Sequence, residues 1–199
     1  ATPENIMKSP LYMPDPEASE KAELFLERKM QEQDSAGGVI ECIVKGMPAG
    51  IGEPVFDKLD ANLAKAVMSI GAVKGVEIGD GFAVAGAFGS DNNDSFCKGQ
   101  DGKIAKTTNH AGGILGGMSD GSDIILRAAI KPTPSIARQQ QTVNRDGEDI
   151  EISIKGRHDP IIVPRAVVVV EAMTAICVLD MILLGMTSRL DRIQEFWKK

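Results

Sequence analysis

The chain contains 199 residues, of which 43% are hydrophobic and 25% are charged, a composition typical of a globular domain. Its formal net charge of -6 excludes a broad nucleic-acid surface, which needs clustered lysine and arginine, but leaves open a pocket for an anionic small molecule. Cys42, Cys97 and Cys177 form neither a disulfide framework nor a zinc CxxC pattern, so we expect no metal site and a reducing, cytoplasmic compartment.

The amino-terminal part of the chain predicts helices alternating with short strands. Asp15-Pro16-Glu17 is typical of a helix start, because Asp caps free N–H groups, Pro suits the first turn and Glu complements the helix dipole. The glycine pair in residues 35–38 is expected to end this helix. In chain order we expect an irregular lead over 1–13, a helix over 15–33, a strand over 39–44, a helix from about 54, strands over 73–78 and 82–87, and an exposed, mobile excursion over 89–108.

The remaining part combines strands with one long apolar helix. The run 161–184 is apolar enough to raise the question of a membrane span, but Pro164 and three charged residues interrupt it, so we expect a buried helix. The uneven alternation of helices, strands and hairpins predicts an α+β fold. In chain order we expect a strand over 124–130, a hairpin with strands over 142–145 and 149–154 around Asp146-Gly147, a helix over 167–184, and a tail over 186–199.

The segment most suggestive of function is 109–121, Asn-His-Ala-Gly-Gly-Ile-Leu-Gly-Gly-Met-Ser-Asp-Gly. Its glycines allow backbone to approach a ligand closely, and it lacks the lysine that a nucleoside triphosphate loop requires. A broad, flat ligand is therefore the better match. His110 has two open interpretations, since it could order this loop by hydrogen bonding or line the ligand site.

Two later segments combine charged side chains with residues that restrict the backbone. Residues 131–135, Lys-Pro-Thr-Pro-Ser, combine one cation and two hydroxyls with two prolines that fix the backbone. Residues 156–160, Gly-Arg-His-Asp-Pro, place a guanidinium, an imidazole and a carboxylate side by side. Each charged residue also has a simpler interpretation. Lys131 could be a solvated lysine, Arg157 could form a surface ion pair, and Asp159 could cap the next turn.

These three segments, together with 37–82 and 164–176, resemble the chorismate synthase family over about 14–184. The family's chains are longer, and their amino-terminal half carries a G-E-S-H-G-type motif and an arginine-rich segment that have no counterpart here. The resemblance therefore implies that 1–199 is the carboxy-terminal part of a single domain. The fold it implies is part of a sandwich of helices between antiparallel β-sheets.

The function that this resemblance implies is conversion of 5-enolpyruvylshikimate 3-phosphate to chorismate by 1,4-elimination of phosphate, without net redox change. The implied cofactor is reduced flavin mononucleotide (FMN), with a link to NADP, and the implied assembly is a cytoplasmic homotetramer without nucleic-acid or membrane partners. Because the amino-terminal catalytic residues are absent, we expect negligible turnover from this chain alone. A non-catalytic flavin- or phosphate-binding module and an oligomerisation domain are the alternatives.

The resemblance also implies roles for individual residues. Asp159 is expected to accept a proton near the flavin N5, and Arg157 to bind an oxyanion of substrate or cofactor. Gly71 stands where the family usually has Asn or Pro, so it offers backbone only. The residues expected to contact the cofactor are Gly71, Ala72, Gly116, Lys131, Pro132, Thr133, Pro134, Ser135 and Arg157.

Overall fold

The structure is a computed structural model that describes residues 3–99, 102, 104–156 and 159–198. The chain divides into two compact units. The first comprises Ala1–Val39 with Ala129–Val168, and the second comprises Ile40–Ala128 with Val169–Lys199. Helices and small antiparallel sheets occur together, which confirms the α+β prediction.

The first unit contains the helices α1 (Pro3–Lys8) and α2 (Pro16–Gln31). The irregular lead predicted for 1–13 is therefore wrong over α1. Helix α2 begins as predicted, because the Asp15 carboxylate accepts hydrogen bonds from the N–H groups of Glu17 and Ala18 at 2.9 and 3.3 Å. The predicted hairpin is confirmed too, and the structure gives its strands, β8 and β9, as Gln140–Val143 and Asp149–Ile152.

The second unit contains most of a three-stranded sheet with the order β1-β7-β2 and the helix α3. Helix α3 begins later than predicted, because Phe56 has a left-handed φ of +59° that a helix cannot include. The strand predicted over 82–87 is wrong, since Gly81–Gly86 forms a 3-10 helix with a hydrogen bond from the Ala83 N–H to the Asp80 carbonyl. The bounds are Gly38–Val44 for β1, Leu59–Met68 for α3, Val73–Ile78 for β2 and Ile124–Ile130 for β7.

Short elements fill the stretch between the 3-10 helix and β7. Helix α4 (Gly89–Asn92) precedes an antiparallel hairpin of β3 (Phe96–Lys98) and β4 (Ile104–Lys106). Most described residues of the predicted exposed excursion are exposed, but the side chains of Asp94 and Lys106 within it are each only 3% exposed. Two-residue strands β5 (Ile114–Leu115) and β6 (Met118–Ser119) follow.

The core of the second unit is formed by side chains that meet with no exposed surface. They come from one face of α3, from alternate positions of β7 and from the long helix Val163–Gly185, so the helical and strand periodicities agree on one buried interior. The fully buried residues of this core are Leu59, Leu63, Val67, Ile124, Leu126, Ala128 and Val170.

Helix α5 (Val163–Gly185) is long and apolar enough to cross a membrane by length and composition, and α6 (Leu190–Trp197) follows it within the predicted tail. Only 22% of its most apolar 18-residue stretch is buried inside the protein, so the prediction of a buried helix holds for one face alone. The buried face carries Val170, Thr174, Val178 and Met181. On another side Ile176, Leu179 and Leu183 are 62%, 57% and 52% exposed, because the helix is apolar around most of its circumference and this chain covers one side.

Candidate functional site

The glycine segment folds into a tight hairpin at its centre. Leu115 pairs with Met118, and the two residues between them, Gly116 and Gly117, have φ values of +60° and +88°. Two consecutive positive φ angles match the type I′ turn that joins two-residue hairpins. The backbone therefore favours glycine at both positions, although Asn or Asp would also suit the first.

The surroundings of these two glycines differ. A Cβ on Gly117 would lie 2.6 Å from the Glu53 carbonyl oxygen, and the Gly117 carbonyl accepts a hydrogen bond of 2.8 Å from the Leu59 N–H. A Cβ on Gly116 would meet no atom within 4 Å. Gly117 is thus explained by packing against the start of α3, whereas Gly116 presents open backbone that a ligand can approach.

A buried carboxylate anchors the entry to this hairpin. The Asp94 side chain accepts hydrogen bonds from the Thr108 hydroxyl at 2.7 Å, the His110 N–H at 2.8 Å and the Ala111 N–H at 2.9 Å. The Lys106 ammonium lies 3.3 Å away. Burial alone raises the pKa of Asp94, but these four donors outweigh it and hold that pKa well below its usual range.

The same lysine also ties down the exit of the hairpin. Its Nζ lies 2.5 Å from the Asp120 carboxylate, and the Asp120 N–H donates to the Gly113 carbonyl at 3.0 Å. Burial opposes ionisation of Asp120, but hydrogen bonds from Lys106 and Ser122 lower its pKa. We call Asp94, Lys106 and Asp120 the Lys106 cluster, and it joins both ends of the glycine hairpin through one cation.

His110 is part of the same framework. Its Nδ1 lies 2.6 Å from an Asp80 carboxylate oxygen, and its carbonyl accepts a hydrogen bond of 2.9 Å from the Asp80 N–H. These contacts favour the first of its two interpretations, in which the imidazole orders the loop.

In the first unit, the predicted phosphate-binding residues 131–135 are attached to the segment that follows α2. The Ser35 hydroxyl donates a hydrogen bond of 2.6 Å to the Thr133 carbonyl. The Thr133 hydroxyl oxygen is buried and has no hydrogen-bond partner within the described part of the chain. Lys131 is exposed. A buried hydroxyl with unused hydrogen-bonding capacity, two positions after an exposed lysine, is a group whose missing partner an oxyanion ligand could supply.

The segment before β1 also contacts the other predicted functional segment. The Ala36 N–H donates a hydrogen bond of 2.8 Å to the Pro160 carbonyl, and Ala36 forms a parallel bridge with Ile161. A Cβ on Gly37 would lie 2.5 Å from the Ile130 carbonyl oxygen. We call residues 35–38 the bridging segment. It brings together two predicted site regions that are more than twenty positions apart.

Asp159 lies beside Pro160 and pairs with Arg165. The Arg165 nitrogens lie 2.7 and 3.2 Å from the two Asp159 carboxylate oxygens, an arrangement that fixes the direction of the carboxylate. The sequence suggested Arg157 as its neighbour, but Arg157 lies outside the described residues. The sequence did not predict Arg165 as the partner, because a residue six positions away across Pro160 gives no periodic signal.

Gly71 and Ala72 form the turn between α3 and β2 in the second unit. Ala72 has a left-handed φ of +72°, and a Cβ on Gly71 would meet no atom within 4 Å. Backbone is therefore accessible at this turn, as at Gly116.

Two surface hollows of the second unit contain none of the predicted site residues. The first is lined by Phe96, Cys97, Lys98, Gly102 and Ile104. The second is lined by Val76, Glu77, Ile78, Gly81, Phe82, Val84 and Ala85.

Sequence reasoning missed the Lys106 cluster and the bridging segment. The sequence pattern places Asp94 and Lys106 in a polar, exposed stretch, and it makes the glycines at 37 and 38 a helix terminator. The available signal for the cluster was the presence of Asp94, Lys106 and Asp120 around one glycine-rich loop. For the bridging segment it was a glycine pair at the start of a strand, where close backbone approach is common.

Comparison with known proteins assigns the chain to a family. Residues 2–183 match the family model for chorismate synthase. The chain is 65% identical over 196 residues to the chorismate synthase of Lachnoclostridium phytofermentans, covering 98% of this chain and 53% of that protein. It is 59% identical over 182 residues to that of Archaeoglobus fulgidus, covering 91% and 50%.

A solved structure gives the same result. A crystal structure of chorismate synthase superposes with a TM-score of 0.76 and 30% identity, covering 96% of this chain and 51% of that one. The chain thus spans about half the length of the relatives it matches. It belongs to the chorismate synthase family.

Proposed function

We propose that this chain contributes one half of a chorismate synthase, a carbon–oxygen lyase that converts 5-enolpyruvylshikimate 3-phosphate to chorismate by 1,4-elimination of phosphate with reduced FMN. Family membership supports the reaction. The chain spans about half of each relative, and we infer that the matched part supplies cofactor contacts and a proton acceptor.

The observation that carries the proposal is an unpaired hydroxyl and an exposed lysine within residues 131–135. Thr133 keeps a buried hydroxyl oxygen without a partner among the described residues, and the exposed Lys131 lies two positions before it in the chain. A phosphate monoester needs such a cation and such a donor. Pro132, Pro134 and Ser135 complete the segment by fixing its backbone and adding a second hydroxyl. The residues present therefore fit the phosphate of FMN or of the substrate.

The chain's residues have separate tasks in the proposed reaction. Asp159, held by Arg165, accepts the proton that leaves the substrate ring. Lys131 and Arg157 stabilise negative charge on phosphate and carboxylate groups. When bound, reduced FMN supplies transient electron donation to the allylic centre. The turns at Gly71, Ala72 and Gly116 offer the flavin ring backbone rather than side chains.

The proposal extends to the whole enzyme. We propose that residues 1–199 form the carboxy-terminal part of one domain, and that turnover by this chain alone is negligible. The exposed apolar side of α5 supports a further protein layer. A cytoplasmic homotetramer, a link to NADP and the absence of nucleic-acid and membrane partners are part of the same proposal.

Fluorescence titration with FMN, with and without 5-enolpyruvylshikimate 3-phosphate, tests cofactor binding. We expect saturable binding that tightens with substrate, and a loss of about tenfold or more in Lys131→Ala, since a hydrogen bond to a charged group is removed. Lys21→Ala, which alters an exposed lysine of α2, is the matched control.

The full-length Lachnoclostridium phytofermentans relative serves as a positive control. Binding of FMN by that protein but not by this chain would refute a cofactor site on this half. The open backbone at Gly116 also suits a second function, a flavin-binding module without catalysis. FMN binding that 5-enolpyruvylshikimate 3-phosphate does not tighten would favour that second function over the first.

A further inference from the structure

The bridging segment contacts both predicted functional regions of the first unit within three consecutive residues. Ser35 reaches Thr133, Ala36 reaches Pro160, and Gly37 lies against the backbone before Lys131. We propose that the bridging segment is a positioning element that sets the distance between the phosphate-binding residues 131–135 and the proton acceptor Asp159. This inference depends on the function proposed above.

The first step of the argument concerns Ser35. Its hydroxyl donates to the Thr133 carbonyl at 2.6 Å, and its own N–H is held at 2.8 Å by the Asp34 carboxylate. Thr133 lies between two prolines, whose φ angles are fixed, so its remaining backbone freedom is small. A hydrogen bond to its carbonyl therefore fixes the backbone from which the Thr133 hydroxyl projects.

The second step concerns Gly37, where the chain has no room for a side chain. A Cβ there would lie 2.5 Å from the Ile130 carbonyl oxygen and 3.2 Å from the ring of Pro132. These neighbours are backbone and a rigid ring, which cannot move aside independently. Glycine thus lets the bridging segment lie directly against the start of the phosphate-binding residues.

The third step links this contact to Asp159. Between Ser35 and Gly37, the Ala36 N–H donates to the Pro160 carbonyl, and Ala36 forms a bridge with Ile161. The carbonyl that is held belongs to the residue directly after Asp159. Loss of phosphate and removal of a proton act on one substrate ring, so their partners must be held at a fixed separation, and a short segment bonded to both does this.

The test compares FMN with riboflavin, which lacks the phosphate, in fluorescence titrations of the chain. We expect Ser35→Ala to weaken FMN about two- to tenfold, the value of one lost hydrogen bond, with riboflavin affinity unchanged. If the phosphate bound is the substrate's, the same loss appears in the affinity for 5-enolpyruvylshikimate 3-phosphate. Ser35→Thr, which keeps the hydroxyl, restores the affinity to within about twofold.

Hydrogen exchange without flavin tests the segment independently of cofactor binding. Ser35→Ala and Gly37→Ala should speed amide exchange in residues 133–136 and in residues 159–162. Gly89→Ala, where a Cβ meets no atom within 4 Å, should leave both regions unchanged. Failure of the unmodified chain to bind FMN would contradict the proposed function, whereas unchanged exchange in both regions would overturn the positioning role. An equal loss of FMN and riboflavin affinity, with substrate affinity unchanged, would overturn it too.

Discussion

Replacement of Lys106 by Met tests whether the Lys106 cluster holds the second unit together. The change removes one cation from between two carboxylates while keeping a flexible side chain of similar length. The lysine and Asp94 side chains are each 3% exposed, and that of Asp120 is 6% exposed. Solvent therefore cannot replace the lost ammonium without opening the loop.

The expected cost follows from what remains in place. Removing one partner of a buried ion pair costs about 3–5 kcal/mol, because an uncompensated charge stays buried. Asp94 retains three hydrogen bonds from Thr108, His110 and Ala111, which reduce the penalty on its side. We therefore expect Lys106→Met to lower the free energy of unfolding by about 3 kcal/mol at pH 7, the lower end of that range.

Urea unfolding followed by circular dichroism measures this change. Lys98→Met, at an exposed lysine of the neighbouring strand β3, is the matched control and should change stability by less than about 0.5 kcal/mol. The deficit of Lys106→Met should shrink as the pH falls through the ordinary Asp range near about 4, because protonation relieves the unpaired carboxylates. A cost below about 1 kcal/mol at pH 7, or a deficit independent of pH, would refute the role given to this cluster.

Three further changes follow from burial and charge. The folded-state pKa values of Asp94 and Asp120 are lowered, so the stability that these carboxylates contribute is complete above about pH 4 and is lost as the pH falls further. The urea midpoint should therefore drop below about pH 4, and it should drop less steeply in Asp94→Asn. Burial raises the pKa of the Cys42 thiol, whereas Cys97 is exposed, so iodoacetamide at pH 8 should label Cys97 first, and equal rates in peptide mass spectra would contradict this order. Leu63→Ala, at a fully buried position of α3, should cost about 2–5 kcal/mol in urea unfolding, and a loss below about 1 kcal/mol would show that the site is not tightly packed.

Local signals predicted the elements whose ends are defined by neighbouring residues. Helix α2 follows its Asp15 cap, and the β8–β9 hairpin follows its Asp146-Gly147 turn. The errors occur where distant contacts decide. Helix α3 starts at Leu59 rather than near 54, and the Leu59 N–H donates to the carbonyl of Gly117, nearly sixty positions away. A periodic pattern cannot show such a partner.

In the candidate site, too, local motifs could be predicted from the sequence, whereas contacts between distant residues could not. Motifs identified the glycine segment and residues 131–135, but they could not separate a glycine required for packing from one facing open space. Gly117 belongs to the first kind and Gly116 to the second. The bridging segment was hidden because Ser35 and Thr133 are 98 positions apart, so their hydrogen bond has no local signature. Proximity of this kind arises from the fold and not from composition.

Helix α5 satisfies the length and hydropathy criteria of a membrane span, yet its charges favour a protein cover for its exposed side. With the middle of the helix near Thr174, a rise of about 1.5 Å per residue puts Glu171 and Asp180 within about 10 Å of that middle, inside a hydrocarbon core about 30 Å thick. Each charge would cost about 2.5–3.5 kcal/mol there. Against protein, the same side chains can remain at the edge of the covered face. We expect the chain to stay at the bottom of a vesicle flotation gradient, and Leu179→Lys to leave its unfolding midpoint unchanged because that side chain is exposed. Flotation with the vesicles that Leu179→Lys abolishes would show that lipid covers this helix instead.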